Sequence, residues 1–152
     1  MAYITAEARQ QLLDDLAGAV EALGSALASL GAAYELLDDQ TADRVEEQLF
    51  RPVQAAYGRA QRTHAGFAER YDLPRRTFPP GRAGSIAHGA RPLLDSAVES
   101  VADADEALVE LQDSMMPVEV GDPELRAGLA EVRALVDEIR ARAREVVRTL
   151  GR

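Results

Sequence analysis

The sequence predicts an all-α protein, an antiparallel up-down-up-down four-helix bundle. Three observations carry that expectation. Apolar residues recur at alternating steps of three and four over long stretches. Two of the three connections between those stretches are short, and short connections favour antiparallel neighbours. The chain has 152 residues and no cysteine, enough to bury a core as one domain without disulfides.

The first helix, expected over residues 5–38, carries Leu13, Leu16, Val20, Leu23, Leu27, Leu30, Tyr34 and Leu37 on one stripe. A mean repeat of 3.5 keeps such a seam facing its neighbours in coiled-coil-like packing. The second, over 41–71, repeats the spacing with Phe50, Val53, Tyr57, Ala60, His64, Phe67 and Tyr71. The third, over 85–116, is less regular: Ile86, Ala90, Leu93, Ala97, Val101, Ala104, Leu108, Leu111 and Met115, with the heptad broken near Ala97. The fourth, over 122–150, returns to the strict pattern from Leu125 through Val132, Val136 and Ile139 to Leu150.

Capping residues suit these divisions: Thr5 for the first helix, Asp39 or Thr41 for the second, Ser85 for the third. Asp122 followed by Pro123 marks the fourth, since proline at the first helical position sacrifices no hydrogen bond. Pro52 and Pro92 fall inside the second and third patterns, where a kink or break is expected. The one long irregular connection is residues 72–84, DLPRRTFPPGRAG.

The up-down-up-down arrangement would sort charge by end. The N-terminus, the arginines of 72–84 and the Arg-rich C-terminus would share a basic end, opposite the acidic stretches 35–47 and 110–124. Arg75, Arg76 and Arg82, with Ser85 and the free N–H groups of a helix start, would then form an anion site.

The net charge of −9 weighs against a nucleic-acid binder and against docking on an anionic membrane. No basic, apolar leader opens the chain and no 18-residue apolar run is present, so a cytoplasmic protein is expected. Neither histidine has Glu three residues before it, the two are not spaced as a zinc pair, and no nucleophile elbow occurs. No catalytic residue, metal site or cofactor is assigned on these grounds.

His64 is the one polar group on the inward stripe of the second helix, seven residues from Tyr57 and from Tyr71. As a structural residue it would be neutral and bonded to a tyrosine or a backbone carbonyl. As a functional one it would join Tyr57 and Tyr71 around a small-molecule ligand, beside the small residues Ala56, Gly58, Ala60 and Gly66.

The stretches RAQRTH, from Arg59 to His64, and RAGSIAH, from Arg82 to His88, resemble the Arg-to-His spacing of HEPN ribonucleases, which are helical bundles working as dimers. That resemblance implies RNA cleavage by the paired Arg and His. It covers only these stretches, and Ala60 and Ala83 stand where the family places a polar residue.

The function expected first is a non-catalytic interaction or scaffold protein, self-associating as a homodimer or binding another protein. Apolar residues flanking the seams, Leu12, Leu36, Val45, Leu49, Val98, Leu135 and Val147, widen the stripes beyond a two-helix contact. A small-molecule or anion-binding bundle is the second expectation, an HEPN-like ribonuclease the third.

Overall fold

The computed structural model describes residues 2–85 and 89–150, with side chains from residue 4 onward. Every regular element among them is helical: α1 (Ala2–Tyr34), α2 (Asp39–Val45), a π turn (Glu46–Phe50), α3 (Arg51–Arg70), α4 (Ala90–Asp113), α5 (Met116–Glu119) and α6 (Pro123–Leu150). The expected Ile86 and His88 positions lie outside the described residues.

The apolar stripes become the core. Leu13, Leu16, Val20, Leu23 and Leu30 of α1 are buried, as are Val53, Ala60 and Phe67 of α3 and Leu125, Val132, Val136 and Ile139 of α6. The irregular third stripe is buried at Leu93, Ala97, Val101, Ala104, Leu108 and Leu111.

Helix ends depart from the expected ones. Thr5 lies inside α1, which begins at Ala2, rather than ahead of it. Asp38 caps α2, its carboxylate accepting from the Thr41 N–H at 2.9 Å. Those hydrogen bonds hold the Asp38 carboxyl below the ordinary carboxylate range. Ser85 is four residues short of Gly89, the residue preceding α4. Asp122 does cap α6, accepting from the Leu125 N–H at 2.8 Å.

Neither proline breaks a helix. Pro92 is the third residue of α4, within the first turn, where an N–H has no helical partner to lose. Pro52 follows the π turn, in which the Arg51 N–H reaches back five residues to the Glu46 carbonyl. The wider turn accommodates the missing donor, and the helical path runs on from α2 into α3.

α3 ends in a Schellman motif. Asp72 takes a left-handed φ of 53°, its N–H bonds the Glu69 carbonyl, and the Leu73 N–H bonds the Ala68 carbonyl at 2.8 Å. The chain leaves α3 in an extended connection that holds no regular element up to Ser85.

The order of helix directions is not the expected one. α1 packs against α3 and α4, and α6 packs against the same two. Arg9 of α1 stacks on Tyr71, past the end of α3, while Gly24 lies against Tyr57, so α1 and α3 are antiparallel. Arg70 meets Asp122 and Arg59 meets Glu131, so α3 and α6 are antiparallel. Arg133 bonds Gln112 and Arg140 bonds Asp105, which makes α4 and α6 antiparallel as well.

α3 and α4 therefore run the same way, giving up-down-down-up. The connection between them must return the length of the molecule. It does so beside α1, with Arg76 paired to Glu21, Gly81 on Gly24, and the Gly84 N–H donating to Ser29 Oγ at 2.9 Å. One long crossover is an established way to close such a bundle.

This course removes the expected separation of charge. The acidic α2 stretch and the Arg-rich end of α6 are neighbours: Asp43, Arg44 and Glu47 line one groove with Glu145 and Thr149. Within Ile4–Tyr34, α1 holds an 18-residue window long and apolar enough to cross a membrane by length and composition, although no unbroken run of 18 apolar residues occurs there. In the fold 56% of that window is buried.

Candidate functional site

The crossover covers the seam between α1 and α3, and the candidate residues of α3 meet it there. His64 is 2% exposed. The Phe78 ring stands edge-on to it, with centroids 5.3 Å apart and planes at 90°. Burial pushes the imidazole pKa below its ordinary value, and nearby Arg76 lowers it further; Asp14 and a hydrogen bond to the Leu13 backbone oppose the shift. The ring is neutral at pH 7, and its Nδ1 has no hydrogen-bond partner among the described residues.

Tyr57, His64 and Tyr71 do not converge. They are spaced along α3 over about 21 Å at 1.5 Å per residue. Tyr57 is half-buried against Gly24, its ring carbon 3.2 Å from where a Cβ would stand. Tyr71 belongs to a polar knot at the opposite end. There the Arg9 guanidinium lies 3.9 Å from the Tyr71 ring centre, and Arg9 Nε donates to the Val120 carbonyl at 3.0 Å.

Arg70 completes that knot, donating to both Asp122 oxygens at 2.7 and 2.9 Å and to Glu124 at 2.8 Å. Burial pushes the Asp122 carboxyl up, but hydrogen bonds from Arg70, the Leu125 N–H and the Tyr71 hydroxyl outweigh it and hold the group below its ordinary value. The knot ties α1, α3 and α6 at one end. Its members sit in different stretches of sequence, so no local spacing announces it.

Nor do the four anion-site residues gather. Arg75 is exposed, with Glu69 at 3.8 Å. Arg76 pairs with Glu21 and lies over Phe78, its guanidinium carbon 5.3 Å from the ring centre. Arg82 and Ser85 are further along the crossover, ahead of α4 rather than at its start. An extended connection spreads these groups instead of focusing them.

Arg59 and His64 point to different neighbours. Arg59 bonds Glu131 at 2.5 Å and Thr63 Oγ1 at 3.2 Å on the α6 side, whereas His64 is sealed beneath the crossover. Within the chain they share no surface on which an RNA phosphate could meet both. The Arg82 and His88 pair lies partly outside the described residues.

Beside Phe78 the crossover leaves an open cleft of about 370 Å³, lined by Gly24, Leu27, Ala28, Tyr57, Phe78, Pro80 and Gly81. Sequence reasoning found Tyr57 but not the cleft, because three of its seven residues come from the connection. The one available signal was TFPPG itself, an aromatic residue and two prolines amid arginines. Among the described residues no group of three or more His, Asp or Glu is placed to hold a metal ion.

The fold and site thus define an all-helical protein with a crossover packed over an aromatic seam. Compared with known proteins it has no match: no family model, no curated protein and no solved structure is similar to this chain.

Proposed function

We propose that the chain is a non-catalytic, cytoplasmic interaction module, a four-helix bundle that self-associates through the end where α1 and α6 finish. The observation that carries this is the exposure of two large apolar residues there, Tyr34 at 39% and Leu36 at 52%. Tyr34 also lines a groove with Gly31, Phe50, Glu35 and Glu46, so the apolar surface extends onto the π turn. π turns often occur at functional sites.

A second copy is the partner this end suits best. The acidic arc of Glu35, Asp38, Asp39 and Asp43 belongs to this end, and its Asp43 shares a groove with Glu145 and Thr149 in the last turns of α6, which also carry Arg144 and Arg148. Two such ends related by a two-fold axis can set the arc of one copy against Arg144 and Arg148 of the other, twice over. The apolar centre supplies desolvation and the charged rim supplies register.

The test is native mass spectrometry and light scattering over a range of protein concentrations. A dimer is expected, weakened by high salt and abolished by Leu36→Asp with helicity unchanged. A monomer at every concentration overturns the proposal.

A further inference from the structure

We infer that the cleft between Tyr57 and Phe78 binds a small, uncharged, planar aromatic molecule carrying one hydrogen-bonding group. The site lies on the α1–α3 seam about one helical turn from the groove at Gly31 and Tyr34, and it shares no lining residue with that groove.

The volume, about 370 Å³, falls in the range of small-molecule sites. Two aromatic rings form its walls, Leu27 and Ala28 its apolar lining, and Pro80 and Gly81 its rim. A planar ring entering there can pack against Tyr57 and Phe78, and aromatic rings attract one another beyond the area they bury.

Charge is excluded by the lining. None of the seven lining residues is an acid or a base of the Asp, Glu, His or Arg type, and Arg76 on the crossover is paired with Glu21. A charged ligand would lose its hydration without a counter-charge.

One polar group is supplied. The Tyr57 hydroxyl is the one polar side-chain group among the lining residues. It can donate to or accept from a single ligand hydroxyl, carbonyl or amide. Gly24 makes room for this: a Cβ there would press on the Tyr57 ring at 3.2 Å. The cleft therefore depends on Gly24 for its floor and on the crossover for its far wall.

The probe is 2-naphthol, titrated into the full-length ¹⁵N-labelled chain and followed by NMR, with calorimetry for affinity. One molecule should bind per chain, with saturable shifts centred on the Gly24, Ala28 and Gly81 amides. Ala28→Trp, which fills the cleft from a half-exposed position, should weaken binding at least about tenfold. Tyr57→Phe keeps the ring and should weaken it about fivefold by removing one hydrogen bond. Should Ala28→Trp fail to fold, Tyr57→Phe alone decides. No saturable shift at millimolar probe, shifts centred elsewhere, or unchanged affinity in the folded variants would overturn the inference.

Discussion

Gly81 rests directly on the backbone of Gly24: a Cβ on Gly81 would lie 2.4 Å from the Gly24 carbonyl carbon and oxygen and 2.5 Å from the Ser25 nitrogen. This glycine-on-glycine contact seats the crossover against α1. It is also what allows Phe78, three residues earlier, to close over His64.

Gly81→Ala tests that seat. The atoms a methyl group would strike are helix backbone, which cannot turn aside as a side chain can. Overpacking of this kind costs about 1–3 kcal/mol. Urea unfolding should show the loss, and hydrogen exchange at Gly84, whose amide bonds Ser29, should quicken. Wild-type stability and exchange in the variant would mean that the crossover is not held at this point.

His64 makes stability depend on pH in a definite sense. Its folded pKa lies below the ordinary 6.5, so between those two values the unfolded chain binds more protons. Stability is complete above pH 6.5 and declines as the pH falls, with a limiting slope of about 1.4 kcal/mol per pH unit. The groups facing the ring are Phe78, the Leu13 backbone, Asp14 and Arg76. His64→Phe should flatten the stability profile between pH 5 and 7. A profile equally steep in the variant would assign the dependence to another group.

Met115 carries local strain. It takes a left-handed φ of 68° just after α4 while its side chain is 48% exposed. That conformation costs a residue with a Cβ about 1–2 kcal/mol, and glycine returns part of the gain through its freer unfolded chain. Met115→Gly should therefore raise stability by about 0.5–1 kcal/mol. Thermal unfolding by circular dichroism measures it, and a lower melting temperature would show that the Met115 side chain contributes packing that outweighs the strain.

Much of the helical content and its inward faces was legible in the chain. The stripe from Leu13 to Leu30, apart from the half-buried Leu27, and the stripe from Leu125 to Val146 are buried where their spacing places them, and Asp122 caps the helix it precedes. These are local properties: a periodic stripe must face a core, and a carboxylate before a proline can satisfy the free N–H groups that follow. His64 lay on such a stripe, so its burial was legible too, but its neighbours were not. Phe78 and Arg76 reach it from the connection, and nothing in the spacing of α3 points to them.

Tertiary structure decided the direction of the third long helix, and the candidate site with it. A periodic stripe is as well buried against a parallel as an antiparallel neighbour, so it carries no sense of direction. The stretch 72–89 is long enough for either path: fully extended, 18 residues reach about 60 Å, while the 20 residues of α3 span about 30 Å. Packing chose the return path, because Phe78, Gly81 and Gly84 fit the seam along α1. That one choice mixed the charges expected at opposite ends, spread Arg75, Arg76 and Arg82 along an extended segment, and made the cleft beside Tyr57.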